Sequence, residues 1–187
     1  MAWNLISLIM PSEIKYETDR LILRPANLSD AVFILELLNT PKWLENIGDR
    51  NVRNLDQAAA YISEKIMPQQ EKLGYSNYIV IRKSDQAKMG TCGIYDRDGL
   101  EGVDIGFAFL PAYEGQGYAY EGAKKFLHLA FTEFKIDKIS AITTKPNVSS
   151  QKLIEKLGLK FIKYTFIPND PEELLYYEIQ CGRGQCG

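Results

Sequence analysis

Histidine is almost missing from this chain of 187 residues, and His128 is its one imidazole. Ser-His-Asp and Cys-His catalysis each require an imidazole within hydrogen-bond reach of the nucleophile. His128 falls on the polar side of a helix with Lys124 and Lys125. It lies about ten residues, so roughly 15 Å, from the helix start where the phosphate chemistry described below is expected. A surface role is therefore expected for it. Cysteine is scarce as well: Cys92, Cys181 and Cys186 are odd in number, and two of them lie in a glycine-rich tail. With a single histidine, this set argues against a zinc site or a disulfide framework, so no metal and a reduced, cytoplasmic setting are expected. An excess of basic charge is also lacking, because 22 Lys and Arg face 24 Asp and Glu for a net charge of −2. No nucleic-acid partner follows from that balance. No stretch approaches the roughly 20 apolar residues of a membrane span, and residues 1–11 lack the basic start and small-residue cleavage site of a signal peptide. No membrane association is expected.

With 45% hydrophobic and 25% charged residues, the chain has the composition of one ordinary globular domain over residues 1–187. The motif-bearing part runs over about 16–180, with 1–15 and 182–187 peripheral. Asp19–Pro25 alternates as a strand with Leu21 and Leu23 on one face. Asn27 then caps a helix through Leu38, and Asn54 introduces another through about Lys65. Residues 78–82, 88–95 and 103–110 read as three successive antiparallel strands. A long helix follows, with Ala119, Ala123, Phe126, Leu127, Ala130, Phe131 and Phe134 on one stripe. A strand over 138–145, a helix ending at Gly158 and further strands complete the order.

The most informative segment is 103–119, where an apolar strand runs into a glycine turn and at once into a helix beginning near Tyr118. That order aims free backbone N–H groups and the positive end of a helix at whatever anion occupies the turn. Gly115 and Gly117 lack a Cβ, so the backbone of Gly115-Gln116-Gly117-Tyr118-Ala119 can approach a diphosphate without help from a basic side chain. A Walker A loop is excluded, because Gly117 to Gly122 has the spacing but Ala123 and Lys124 follow it. A dinucleotide fingerprint is excluded by Tyr120, which stands where the third glycine belongs. Taken alone, the turn is also compatible with a purely structural strand-to-helix link.

The surrounding residues resemble the GNAT superfamily of acetyl-CoA-dependent N-acetyltransferases. Glu114-Gly115-Gln116-Gly117-Tyr118-Ala119, preceded by Gly106-Phe107 and Pro111, is similar to that family's Arg/Gln-x-x-Gly-x-Gly/Ala signature. Farther on, Pro146-Asn147-Val148-Ser149-Ser150 opens a helix ending in Glu155-Lys156-Leu157-Gly158-Leu159, similar to the family's second block. The resemblance covers roughly residues 16–165. It implies the acyl-CoA N-acyltransferase fold, a mixed α/β (α+β) architecture with a largely antiparallel central sheet of about six to seven strands and about four flanking helices. It implies acetyl-CoA as co-substrate, held by the main chain of Phe107, Ala108 and Phe109, by the turn from Glu114 through Gly115, Gln116, Gly117 and Tyr118 to Ala119, and by Asn147 and Ser150 beside the pantetheine arm. Glu114 departs from the pattern, since Arg or Gln is usual there, and its carboxylate is expected to face solvent. Asn147 and Gly158 are also accounted for as helix caps.

Acetyl transfer from a thioester to an amine needs a neutral amine, an oxyanion donor and a proton for the departing thiolate. Asp104 matches a frequently acidic position of the family, two residues before the strand glycine, and is the candidate base, acting directly or through water. Its alternative reading is a strand-edge charge. Many relatives place a tyrosine where this chain has Ile154, so that proton donor is absent. The resemblance to the ribosomal-protein N-terminal acetyltransferase branch, including Thr18-Asp19-Arg20 and Arg24-Pro25, implies Ser150 in its place. Main-chain N–H groups near Phe107 to Phe109 are the expected oxyanion donors.

For the acceptor, ionisation favours an α-amine. With a pKa near 7.7–8.0, roughly a third is neutral around pH 7.5, against about one in a thousand for lysine near 10.4. A site with weak bases suits a protein or peptide N-terminus, although relatives of this layout also modify aminoglycosides, polyamines and other small amines. Trp3, Trp43, Tyr75 and Tyr78 are candidates to line the acceptor pocket, or else core aromatics. A catalytically weak acyl-CoA sensor and an unrelated phosphate-binding enzyme are the other readings, and a monomer and a homodimer are both compatible with the sequence.

Overall fold

The computed structural model describes residues 15–168 and 170–182. Strand alternation, caps and proline placement account for its first half. Leu21 and Leu23 are fully buried on one side of β2 (Leu21–Pro25), which follows the two-residue β1 (Tyr16–Glu17). Asn27 and Asp30 form a reciprocal capping box that starts a 3-10 turn leading into α1 (Ala31–Leu38). Thr40 accepts from the Trp43 N–H and Pro41 occupies the first turn, which starts α2 (Pro41–Asn46), a helix absent from the expected set. Asn54 caps α3 (Leu55–Tyr61), which continues through a π-helical turn over Ile62–Ile66 into α4 (Met67–Leu73). The helix thus outruns its expected end near Lys65. Pro68, with no N–H to donate one turn back, sits where the ladder has already shifted.

β3 (Asn77–Arg82), β4 (Lys88–Asp96) and β5 (Val103–Phe109) follow, then α5 (Tyr118–Thr132), β6 (Lys138–Thr144), α6 (Val148–Lys156), β7 (Lys160–Thr165) and β8 (Leu174–Gln180). The eight strands form one sheet in the order β1-β2-β3-β4-β5-β6-β8-β7. Every neighbouring pair is antiparallel except β5 with β6. The mixed, largely antiparallel architecture agrees with the expected one, and the five helical bodies and eight strands extend it by α2 and the very short β1.

The sheet separates two cores. On one face, Phe126, Leu127 and Ala130 of α5 and Ile154 of α6 pack with Leu21, Leu23, Tyr78 and Ile105. On the other, α1, α2 and α3 pack Phe33, Trp43 and Ala58 against Ile79 and Ile81. Of the pocket candidates, Tyr78 and Trp43 are core residues and Tyr75 is half-buried at the core's edge. Tyr78 is fully buried against Phe126, with ring centroids 4.7 Å apart, and Tyr75 packs on Phe134 at 5.1 Å. Trp43 is buried and donates its indole N–H to Gly48 O. Trp3 lies outside the described residues. Cys92 is a free thiol in the core, its ionisation pushed up by burial. His128 is exposed on α5, and among the described residues no helix is long and apolar enough to cross a membrane.

Candidate active site

The one parallel pair is also the shortest contact between long strands. β5 and β6 pair only at Val103 with Ile139 and Asp104 with Ser140, whereas β5 stays paired to β4 along its whole length to Phe109. Beyond Asp104 the two strands separate, leaving a wedge in the middle of the sheet. The bond from Leu110 N–H to Met89 O fixes the alternation along β5. Ala108 and Leu110 turn their main-chain groups toward β4, so Phe107 and Phe109 turn theirs toward the wedge. Helix α2 spans the mouth of this wedge. Lys42 pairs with Glu114 just past β5, and Thr144 at the end of β6 donates to Asn46 Oδ1 at 3.5 Å.

Where β5 ends, a 3-10 turn over Pro111–Tyr113 leads to the glycine turn. Gly115 and Gly117 both have positive φ, 69° and 81°, and Gly117 is the N-cap of α5 with no side chain capping it. The first helical bond runs from Glu121 N–H to Gly117 O, so the N–H groups just ahead of Glu121 have no partner inside the helix. Nothing lies within 4 Å of the place a Cβ would take on Gly115. The Gln116 side chain folds back onto Ala112 O, and the Tyr118 ring is buried beneath Arg20, so these two residues can offer the turn only their main chain. Glu114 does not face solvent freely as expected. Its side chain is 31% exposed and ion-paired to Lys42, which compensates its charge beside the turn. Arg20, which the sequence reading did not include in the site, reaches the turn from the bend before β2 and donates to Gln116 O at 3.1 Å.

Asp104 stands at the closed end of the wedge. It is 1% exposed and receives Arg97 Nε at 3.1 and 3.2 Å and Arg97 Nη2 at 3.1 Å. Burial pushes its carboxyl above the usual range, and the Arg97 guanidinium opposes that rise. The three residues to Phe107 span roughly 10 Å of strand, so the water-mediated form of the base reading fits this placement and direct contact does not. Asn147 caps α6, its Oδ1 accepting from Ser150 N–H at 3.1 Å and from Ser149 Oγ at 3.0 Å. The Ser150 hydroxyl, half-buried, makes no hydrogen bond among the described residues. Ile154 is buried in the core, consistent with its carrying no proton.

The residues present fit acetyl-CoA. Unpartnered N–H groups at a helix start and open space at Gly115 suit a diphosphate. A wedge edged by free strand main chain suits an extended arm that carries amides and a thioester. Residues 20–160 match the family model described as an acetyltransferase (GNAT) domain. The chain is 27% identical over 145 residues to the uncharacterized N-acetyltransferase YoaA of Bacillus subtilis, covering 77% of this chain and 81% of that protein. Its fold is similar to that of the ribosomal-protein-S5-alanine acetyltransferase of Vibrio fischeri, with a TM-score of 0.75 at 16% identity over 90% of this chain and 97% of that one. It is also similar to that of the spermidine N-acetyltransferase of Vibrio cholerae, solved with CoA and spermine, with a TM-score of 0.71 at 16% identity over 87% and 96%. With three quarters of its length under one family model and the glycine turn inside the matched span, this chain belongs to the GNAT family of N-acetyltransferases.

Proposed function

We propose that this enzyme acetylates the N-terminal α-amine of a protein or peptide, using acetyl-CoA in a ternary complex. The observation that carries the acceptor assignment is the state of Asp104, the carboxylate at the closed end of the wedge. It is tied to Arg97 and set back from the place where the amine would react, so the site offers only a weak, relayed base. Such a site suits an amine already partly neutral near pH 7.5. Bound acetyl-CoA supplies the activated acetyl group. The turn from Glu114 to Ala119 holds its diphosphate through main-chain N–H groups, and Phe107 and Phe109 N–H receive the developing oxyanion. Asn147 sits beside the arm, Ser150 Oγ delivers a proton toward the departing sulfur, and Asp104 receives the amine proton through water. The setting in this reading is cytoplasmic.

The test is thiol release from acetyl-CoA against a panel of acceptors. Peptides with free N-termini should react in preference to the same peptides blocked there and carrying only lysine. kcat/KM should rise with the amine's own ionisation near pH 7.7–8.0. A preference for polyamines, aminoglycosides or lysine side chains overturns the acceptor assignment. Binding of acetyl-CoA without any CoA release would instead indicate a sensor.

A further inference from the structure

A glycine turn has more than one way to point its amides. With a glycine, Gly117, on its C-terminal side, the Gln116–Gly117 peptide can present its N–H to one side of the turn or, after a flip, its carbonyl. Only the first orientation attracts an anion. Arg20 bears directly on that choice. Its Nη1 donates to Gln116 O at 3.1 Å, and because the peptide is trans, the Gly117 N–H is held on the side away from Arg20.

Arg20 is itself fixed on three sides. Its Nε donates to Glu121 Oε2 at 2.7 Å, and its guanidinium lies 4.4 Å from the centre of the Tyr118 ring. Glu121 Oε1 accepts from Thr18 Oγ1 at 2.6 Å and from Arg20 N–H at 2.9 Å, which locks the carboxylate that holds the guanidinium. The Glu121 pairing also leaves Arg20 with little uncompensated charge to offer a phosphate.

We propose that Arg20 is a positioning residue for the cofactor: held by Glu121 and Thr18, it grips the Gln116 carbonyl and so keeps the Gly117 N–H turned toward the diphosphate. The role depends on the planar fork, which donates to two acceptors in fixed directions, and a lysine cannot reproduce it. The inference rests on the reading that the turn binds the diphosphate of acetyl-CoA.

The experiment compares CoA affinity by calorimetry with turnover of S-acetylpantetheine, which has the thioester arm and no diphosphate, in wild type, Arg20→Gln, Arg20→Lys and Glu121→Gln. All three variants should weaken CoA by about tenfold or more, equivalent to about 1.4 kcal/mol, while kcat/KM for S-acetylpantetheine stays at the wild-type value. Wild-type affinity in Arg20→Lys with loss in Arg20→Gln would mean a charge contact and overturn the positioning role. An equal loss with S-acetylpantetheine would also overturn it, because that pattern marks general structural damage. Should both Arg20 variants fail to fold, Glu121→Gln decides: weakened CoA binding supports the inference and unchanged binding overturns it. Equal affinity of wild type for CoA and pantetheine would overturn the underlying reading of the turn itself.

Discussion

Ser150 and Asp104 carry the residue-scale argument, because each has a structural and a chemical reading that different measurements separate. The cap of α6 is made by Asn147 Oδ1 and the Ser150 main-chain N–H, which alanine keeps. Ser150→Ala should therefore leave the melting temperature within about 1–2 °C, since no cap worth about 1 kcal/mol is lost, while kcat falls and CoA affinity holds. Unchanged specific activity in the folded variant would return Ser150 to a bystander. Asp104→Asn should behave differently. It removes the relayed base, so kcat/KM should fall by about 10²-fold or less, and it strands the Arg97 guanidinium, so the melting temperature should fall too. A loss of stability with full activity would assign Asp104 to the alternative strand-edge role. At this scale the sequence was legible where a motif names the atom, as with Gly115 and Gly117, and illegible where a long side chain arrives from elsewhere. Arg20 and Arg97 reach their partners from the bend before β2 and from the turn after β4, and nothing in the local pattern of either segment marks that reach.

Helix α2 shows the same limit for a whole element. Its start was readable from Thr40 and Pro41, a cap followed by a first-turn proline, yet six residues are too few to display a helical stripe. Its position across the wedge depends on partners roughly 70 and 100 residues away, and the early end of β5–β6 pairing likewise involves residues far apart in the chain. Such long-range pairings leave no signature in the spacing of either strand. The Lys42–Glu114 pair at the surface contributes about 1 kcal/mol or less to stability, so Lys42→Ala should melt almost as wild type does. What it should change is the charge next to the glycine turn. With Glu114 uncompensated, CoA should bind several-fold more weakly at low salt and recover toward wild type at high salt, while Glu114→Gln should bind at least as tightly as wild type. Titrations at two salt concentrations check this, and a Lys42→Ala affinity equal to wild type at low salt would separate α2 from cofactor binding.

At the scale of the molecule, the parts on either side of the wedge meet through two residue pairs of parallel strand, the shared core under α5 and the contact of α2 with the end of β6. On the β1–β5 side, the Asp30 carboxylate ties several elements together. Fully buried, it receives Arg24 Nη1 and Nη2 at 2.7 Å each, Lys88 Nζ at 2.7 Å and Asn27 N–H at 3.0 Å. It thereby joins β2, the start of α1 and β4. The Asn27–Asp30 box was legible as a helix start, but the ion pairs to Arg24 and Lys88 were not, since only the β2-β3-β4 register brings both cations to one point. Burial alone would raise this carboxyl, but the two cations and the main-chain donor bring it below its ordinary range. Its contribution to stability is therefore complete above the unfolded-state value near 3.9 and is lost as pH falls through the lower folded value. Asp104, raised by burial, has the opposite sign and favours folding as pH falls, so it partly offsets the loss. Asp30→Asn should cost less at neutral pH than the about 3–5 kcal/mol of a fully buried broken pair, because Arg24 and Lys88 remain 23% and 33% exposed and water can reach them. The sharper expectation is the shape of the acid limb. Between pH 7 and 3 the wild-type melting temperature should fall steeply below pH 4, and the Asp30→Asn variant, starting lower, should fall by less. Parallel wild-type and variant curves across that range would show that Asp30 does not titrate with unfolding.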